Sequence, residues 1–140
     1  MPTGINEKNV KKLNRKARQR NSWDFSNDVL YKMCADYPEH QDDGQIAGKV
    51  MMIGRIYSAS IERRKNKKKS ETNEDFYLDK VVPALKRSGL DGQIDQAKAE
   101  KYPTLENAHV FIAIHWKLSA VFEKLTAETK RSLASKYLHF

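Results

Sequence analysis

The spacing of apolar residues along this chain is helical in every long patterned stretch, and this limits the fold more than any other feature of the sequence. Apolar side chains recur at intervals of three and four residues, as they do on one face of an α-helix. No stretch keeps the two-residue alternation of a half-buried strand. We therefore predict an all-α protein. Because 140 residues suit one domain, we expect a single domain over 1–140, folded as a compact bundle of six or seven helices.

The most hydrophobic stretch, 105–125, is predicted to be the central helix of this bundle. Its apolar side chains cover well over half of the helix circumference, which is typical of a helix buried on most sides. They are Val110, Phe111, Ile114, Leu118, Val121, Phe122 and Leu125. Thr104 is predicted to cap the start of this helix, and Thr126 to begin the last helix of the chain.

A second long helix is predicted to open at Asp42-Asp43-Gly44 and to extend to about residue 68. Its apolar stripe consists of Ile46, Val50, Ile53, Tyr57 and Ile61. Gly54 lies beside this stripe, although a glycine inside a helix costs about 1 kcal/mol relative to alanine. We therefore expect another helix to approach closely at Gly54.

Shorter helices are predicted before and after the long one. Residues 6–20 have only a narrow apolar stripe, so we expect this basic helix to be loosely docked. Ser26 is predicted to cap the next helix. Thr72 and Asp75 are spaced as a capping box, and we expect the helix that follows them to be kinked by Pro83 or divided near Val82.

The positive charge of the chain is confined to two short segments. The whole chain has a net charge of +8, of which residues 1–20 contribute +6 and residues 61–70 contribute +5, so the remaining residues are mildly acidic. Two concentrated basic segments are typical of arms that bind a polyanion. The alternative is that both are helix faces exposed to solvent.

The leading functional hypothesis is a non-catalytic helical module that binds nucleic acid, or another polyanion, through its phosphates. No base-reading motif accompanies the basic residues, so we expect little sequence specificity. The residues predicted to contact phosphates are Lys11, Lys12, Arg15, Lys16, Arg63, Arg64, Lys67 and Lys68.

A second hypothesis is a protein-interaction or self-associating protein. Small and flexible residues of the long helix face away from its apolar stripe and would suit a homodimer with two-fold helix pairing. They are Gly48, Met51, Met52 and Ala59.

A third hypothesis is an enzyme with a cleft formed by Arg55, Glu62 and His115. Arg55 and Glu62 lie two turns apart on the predicted long helix, opposite its apolar stripe, and His115 lies on the apolar flank of the central helix. The alternatives are a solvent-exposed face for Arg55 and Glu62, and a hydrogen-bonded core position for His115. No catalytic residue is assigned, and the sequence favours a protein that is not an enzyme.

Several other functions lack the residues that they need. The only cysteine is Cys34 and the four histidines are dispersed, so we expect no metal site and no cofactor. No glycine-rich phosphate loop is recognisable. No apolar run is long enough to span a membrane, and the N-terminus does not resemble a secretory signal. We expect a cytoplasmic protein.

Two stretches resemble elements of an uncharacterised bacterial family of all-helical proteins. They are GKVMMIGRIY at 48–57, followed by IERR at 61–64, and SLASKYLHF at 132–140. The family has no established activity, so the resemblance implies a bacterial helical protein and supplies no catalytic residues. The second stretch also resembles a helix of the helix-hairpin-helix DNA glycosylases, whose glycine-rich hairpin, lysine and aspartate are not recognisable in this chain.

Overall fold

The computed structural model describes Lys8, Val10, Lys11 and residues 22–140, and residues 22–140 contain six helices and no strand. The prediction of an all-α protein is confirmed. The helix predicted over 6–20 lies outside the described residues, apart from Lys8, Val10 and Lys11. The six helices are α1 (Ser22–Asp36), α2 (Asp43–Ile56), α3 (73–87), α4 (Leu90–Ala99), α5 (Ala108–Thr126) and α6 (Arg131–His139).

The buried apolar side chains of all six helices form one cluster. Helix α2 packs against α1, α3 and α6, whereas α5 packs against α4 and α6. The largest fully buried side chains include Leu30 of α1, Ile46 and Ile53 of α2, Phe76 and Tyr77 of α3, Leu90 of α4, Leu118 and Phe122 of α5, and Leu133 of α6. Helix α6 therefore joins the two groups of helices.

Helix α5 is shorter and less enclosed than its sequence predicts. Thr104 and Asn107 exchange hydrogen bonds, with Thr104 N to Asn107 Oδ1 at 2.6 Å and Asn107 N to Thr104 Oγ1 at 3.2 Å. Because these residues form a turn, the helix begins only at Ala108. Trp116 is 58% exposed, so one side of α5 faces solvent although the sequence predicted a helix buried on most sides. Thr126 ends this helix instead of starting the next one.

Helix α2 begins as predicted, with Asp42 as its N-cap, but it ends at Ile56 instead of near residue 68. Ser58 adopts a left-handed conformation with φ of 54°. Its N–H donates to Arg55 O at 3.2 Å, and the N–H of Ala59 donates to Gly54 O at 2.7 Å. These two bonds form a Schellman motif, which satisfies the last carbonyls of the helix and turns the chain back.

A side chain at position 54 would be crowded because the returning chain packs directly on Gly54. A Cβ at this position would lie 3.1 Å from Ser60 Cα and 3.3 Å from Ala59 O, whereas the nearest atom of another helix, Leu133 Cδ1, is 3.5 Å away. The closest approach therefore comes from the segment after α2 itself, and not from another helix as the sequence predicted.

We expect Gly54→Ala to be less stable than Gly48→Ala, its matched control in the same helix. A Cβ at Gly48 would meet no atom within 4 Å, so Gly48→Ala should gain about 1 kcal/mol of helix propensity. Gly54→Ala gains the same propensity but overpacks a rigid backbone, which costs about 1–3 kcal/mol. Urea unfolding of both variants should show this difference. Equal stabilisation of both would contradict the close packing at Gly54.

The smaller elements agree in part with the sequence. Thr72 and Asp75 form the predicted capping box at the start of α3. The predicted division near Val82 is confirmed: α3 consists of Asn73–Phe76, a π-helical turn at Tyr77–Val81 and a final segment Val82–Arg87 with Pro83 in its first turn. The N-cap predicted at Ser26 is wrong, because α1 already begins at Ser22.

None of the helices described here has the length and apolar character needed to cross a membrane.

Candidate functional site

The basic segment 61–70 lies in the loop between α2 and α3, not at the end of a long helix. Its cations therefore do not share one helix face. Five of them are exposed and define a surface that we call the cationic loop surface. It consists of Arg63, Lys65, Lys67, Lys68 and Lys69.

Arg64 is the exception, because its side chain points into the protein and is only 1% exposed. Its Nη1 donates to Glu62 O at 2.8 Å, and its Nη2 pairs with the Glu71 carboxylate. Its Cζ also lies 3.5 Å from the centroid of the Phe76 ring. Arg64 was predicted to contact phosphate, but it is not part of the exposed surface. It anchors the loop to the core instead.

Three further hydrogen bonds hold the loop in place. Asn66 Nδ2 donates to Leu125 O at 3.1 Å, at the C-terminal end of α5. Lys130 Nζ donates to Arg63 O at 2.5 Å, just before α6, and Lys67 Nζ donates to Asn73 Oδ1 at 3.3 Å. The loop therefore lies across the ends of α5 and α6, and its other lysines point outward.

The charge of Arg64 is compensated inside the protein. Glu71 pairs with Lys80, at 2.5 Å between Nζ and Oε2, and with Arg64. These hydrogen bonds hold the pKa of the Glu71 carboxyl below its usual value, and the bond from Lys80 has the largest effect. The Glu71 carboxylate is thus engaged by the buried Arg64 and by the exposed Lys80.

The N-terminal part of the predicted interface is mostly outside the described residues. Lys11 is exposed, whereas Lys12, Arg15 and Lys16 are not described. The prediction that these N-terminal residues contact phosphates stays a prediction.

Arg55 and Glu62 do come together, although not on one helix. Arg55 in the last turn of α2 places its Nε 2.9 Å from Glu62 Oε1 in the following loop, and the Tyr77 hydroxyl donates to the other carboxylate oxygen. Burial alone would raise the pKa of the Glu62 carboxyl, but the hydrogen bonds from Tyr77 and Arg55 outweigh it and hold that pKa below its usual value. Glu62 is therefore a charged, fully engaged group.

His115 does not join this pair. Its Nε2 lies 2.8 Å from Ser135 Oγ, between α5 and α6, and it lines a cavity whose described walls include neither Arg55 nor Glu62. The three residues therefore do not line one cleft, and this arrangement offers no shared substrate site for the enzyme hypothesis.

The residues considered for self-association divide into two groups. Met52 is 41% exposed and the space around Gly48 is open. Met51 and Ala59 instead pack against the core. The exposed part of α2 is therefore narrower than the sequence predicts, and self-association stays a prediction.

Sequence reasoning missed a polar network around His40, which is only 4% exposed. Its Nδ1 lies 2.5 Å from Asp91 Oδ1, its Nε2 lies 2.6 Å from the Tyr137 hydroxyl, and its backbone N–H donates to Asp91 Oδ2 at 2.8 Å. Burial lowers the pKa of the His40 imidazole more than the hydrogen bond to Asp91 raises it, so the neutral ring is favoured. Neutral His40 donates from Nδ1 to Asp91 and accepts from Tyr137.

Comparison with known proteins adds no assignment to this geometry. No protein-family model, no curated protein and no solved structure matches the chain. Within the described residues, no group of three histidine, cysteine, aspartate or glutamate side chains is arranged to hold a metal ion.

Proposed function

We propose that this protein binds nucleic acid without catalysis, through contacts between its cationic loop surface and the phosphate backbone. The observation that carries the proposal is the construction of the loop. Arg64 and Asn66 fix it to the body of the protein while Lys65, Lys68 and Lys69 remain exposed. Because the loop backbone is already fixed, binding requires less ordering of the chain than it would for a flexible arm.

The chemistry of the surface favours a nucleic acid over a less densely charged partner. Duplex DNA carries one negative charge per about 1.7 Å of its axis, so several closely spaced lysines can be neutralised together. Lysine binds phosphate as a point charge and does not select a base by itself. We therefore propose binding with little sequence specificity, with Lys11, Lys12, Arg15 and Lys16 as a second group of contacts.

A bacterial cytoplasmic location belongs to the same proposal. A chain with the single Cys34 needs no oxidising compartment, and the cytoplasm holds nucleic acid. The bacterial origin rests on the resemblance of 48–57 and 132–140 to a bacterial family.

The proposal predicts a large effect of the salt concentration. Replacing Lys65, Lys68 and Lys69 with glutamine should weaken binding to a mixed-sequence DNA duplex. Each lost phosphate contact should reduce the slope of log K against log salt by about 0.9. Fluorescence anisotropy of a labelled duplex over a series of salt concentrations measures both quantities.

A variant with the same change in charge elsewhere provides the control. Lys98, Lys101 and Lys117 are exposed and lie in or near α4 and α5, so replacing them with glutamine removes three charges outside the loop. Absence of duplex binding at low salt, or equal slopes for the two triple variants, would contradict the proposed interface.

A further inference from the structure

A cavity of about 590 Å³ lies among α1, α2, α4, α5 and α6, and no residue of the cationic loop surface lines it. Its size is within the range of about 300–1,000 Å³ that is typical of small-molecule sites. It is therefore a second candidate site, separate from the proposed nucleic-acid interface.

The charged side chains of the cavity wall are lysines. Lys49, Lys98 and Lys101 line it together with three histidines, and no aspartate or glutamate is among its described lining residues. Cations that converge on a concave site without compensating carboxylates produce a local positive potential. The cavity should therefore favour an anion.

Lys49 is the most unusual of these lysines. It is only 3% exposed, and it forms no ion pair with any described residue. Its Nζ donates to Tyr37 O at 2.9 Å and to Glu39 O at 3.0 Å. An ammonium group has three donors, so one remains after these two bonds. Asp91 acts on Lys49 only from beyond ion-pair distance, so this buried charge has no direct partner among the described residues and is costly. An anion in the cavity would supply that partner.

The rest of the wall is largely apolar. Phe111 and Ile114 of α5 contribute to it, together with Leu138 of α6 and Ile94 of α4. Such side chains bind a flat or compact hydrocarbon group and give little affinity to a fully hydrated ion. A ligand that suits this wall therefore combines an acidic group with an apolar body.

We propose that this cavity binds a small organic anion whose acidic group pairs with Lys49 and whose apolar body lies against Phe111 and Ile114. Lys98 and Lys101 lie at the exposed edge of the cavity and attract the anion. This proposal does not depend on nucleic-acid binding by the loop, since the two sites share no residue.

The test compares three probes by isothermal titration calorimetry: 1-naphthyl phosphate, neutral 1-naphthol and inorganic phosphate. 1-Naphthyl phosphate should bind about tenfold more tightly than either of the others, because only this probe has both features. Binding of 1-naphthol with the same affinity would overturn the proposal, because it would show a merely apolar cavity. Binding of inorganic phosphate with the same affinity would also overturn it.

Variants locate the site. Lys49→Met should weaken binding of 1-naphthyl phosphate about tenfold or more, since it removes the buried charge and keeps most of the apolar stem of the side chain. The double variant Lys98→Gln with Lys101→Gln alters only exposed positions, so it decides the matter if Lys49→Met fails to fold. It should weaken binding severalfold, whereas Lys117→Gln on α5 should not.

An unchanged affinity in the double variant would overturn the proposal. The triple glutamine variant of Lys65, Lys68 and Lys69 should retain full affinity for 1-naphthyl phosphate, because these residues do not line the cavity. A loss of affinity in that variant would overturn the separate cavity site. Failure of duplex binding alone would bear only on the loop.

Discussion

Replacing Arg64 with methionine should lower the free energy of unfolding by about 3 kcal/mol. The substitution leaves the Glu62 carbonyl without its donor, which costs about 1–3 kcal/mol for a buried group. It also removes the guanidinium from the Phe76 ring, where a desolvated cation–π contact contributes about 2 kcal/mol. Lys80 still pairs with Glu71, so the loss should not reach the highest values known for broken buried ion pairs.

Arg63→Met is the matched control for this experiment. It removes the same charge from the neighbouring position, but the Arg63 side chain is exposed and the hydrogen bond from Lys130 is to its backbone carbonyl. We expect a change of less than about 0.5 kcal/mol in the free energy of unfolding. Denaturation in urea measures both variants, and equal losses would show that Arg64 does not anchor the loop.

The same two variants separate stability from binding. Arg63→Met should weaken duplex binding with little effect on unfolding, since it removes one cation of the cationic loop surface. Arg64→Met should act on binding only by releasing the loop. The sequence presents these two arginines as equivalent members of one basic run, and the distinction between them comes from the fold.

The helical class and several helix starts could be predicted because they depend on local pattern. Asp42 and the pair Thr72–Asp75 are capping residues next to the apolar repeats that they begin. The end of α2 could not be predicted in this way. Ile61 continues the apolar spacing of the helix, but it lies in the loop after the Schellman motif at Ser58. Its side chain is nevertheless buried, because that motif turns the chain back toward the core.

The candidate sites depend on tertiary packing even more than the end of α2 does, so less of them could be predicted from local pattern. A run of lysines at 65–69 predicts exposed charge whether the segment is a helix or a loop, so that part of the interface could be identified from sequence. His40 lies 51 positions from Asp91 and 97 positions from Tyr137. No local pattern connects residues so distant, and only tertiary packing brings them together. The cavity beside them was equally inaccessible to sequence reasoning.

The network around His40 should make the stability of the protein depend on pH in a defined range. The pKa of His40 is lowered in the folded protein from its ordinary value of 6.5. As the pH falls below about 6.5, the unfolded chain therefore binds a proton that the folded protein does not bind, and the free energy of unfolding decreases. One such proton gives a slope of at most about 1.4 kcal/mol per pH unit.

Asp91 acts in a different range, which makes the effect of His40 separable. Burial opposes ionisation of this carboxyl, but the hydrogen bonds from His40 outweigh it and hold its pKa below the ordinary 3.8. The stability that it contributes is therefore lost only as the pH falls below about 4. Between pH 6.5 and pH 4, the free energy of unfolding should therefore fall because His40 is protonated more readily in the unfolded chain than in the folded protein.

His40→Gln tests this assignment, with His109→Gln as the control at an exposed histidine of α5. Loss of the imidazole leaves the buried Tyr137 hydroxyl without its acceptor and weakens the contact with Asp91, so His40→Gln should be about 2–3 kcal/mol less stable at pH 7. Its stability should also change less between pH 6.5 and pH 5, because the titrating group is gone. Urea unfolding at each pH gives both quantities. His109→Gln alters only an exposed side chain and should leave the free energy of unfolding at pH 7 within about 0.5 kcal/mol of the original value. If the free energy of unfolding of His40→Gln depended on pH as strongly as that of the original protein, another group would take up the proton. The assignment of the acid sensitivity to His40 would then be wrong.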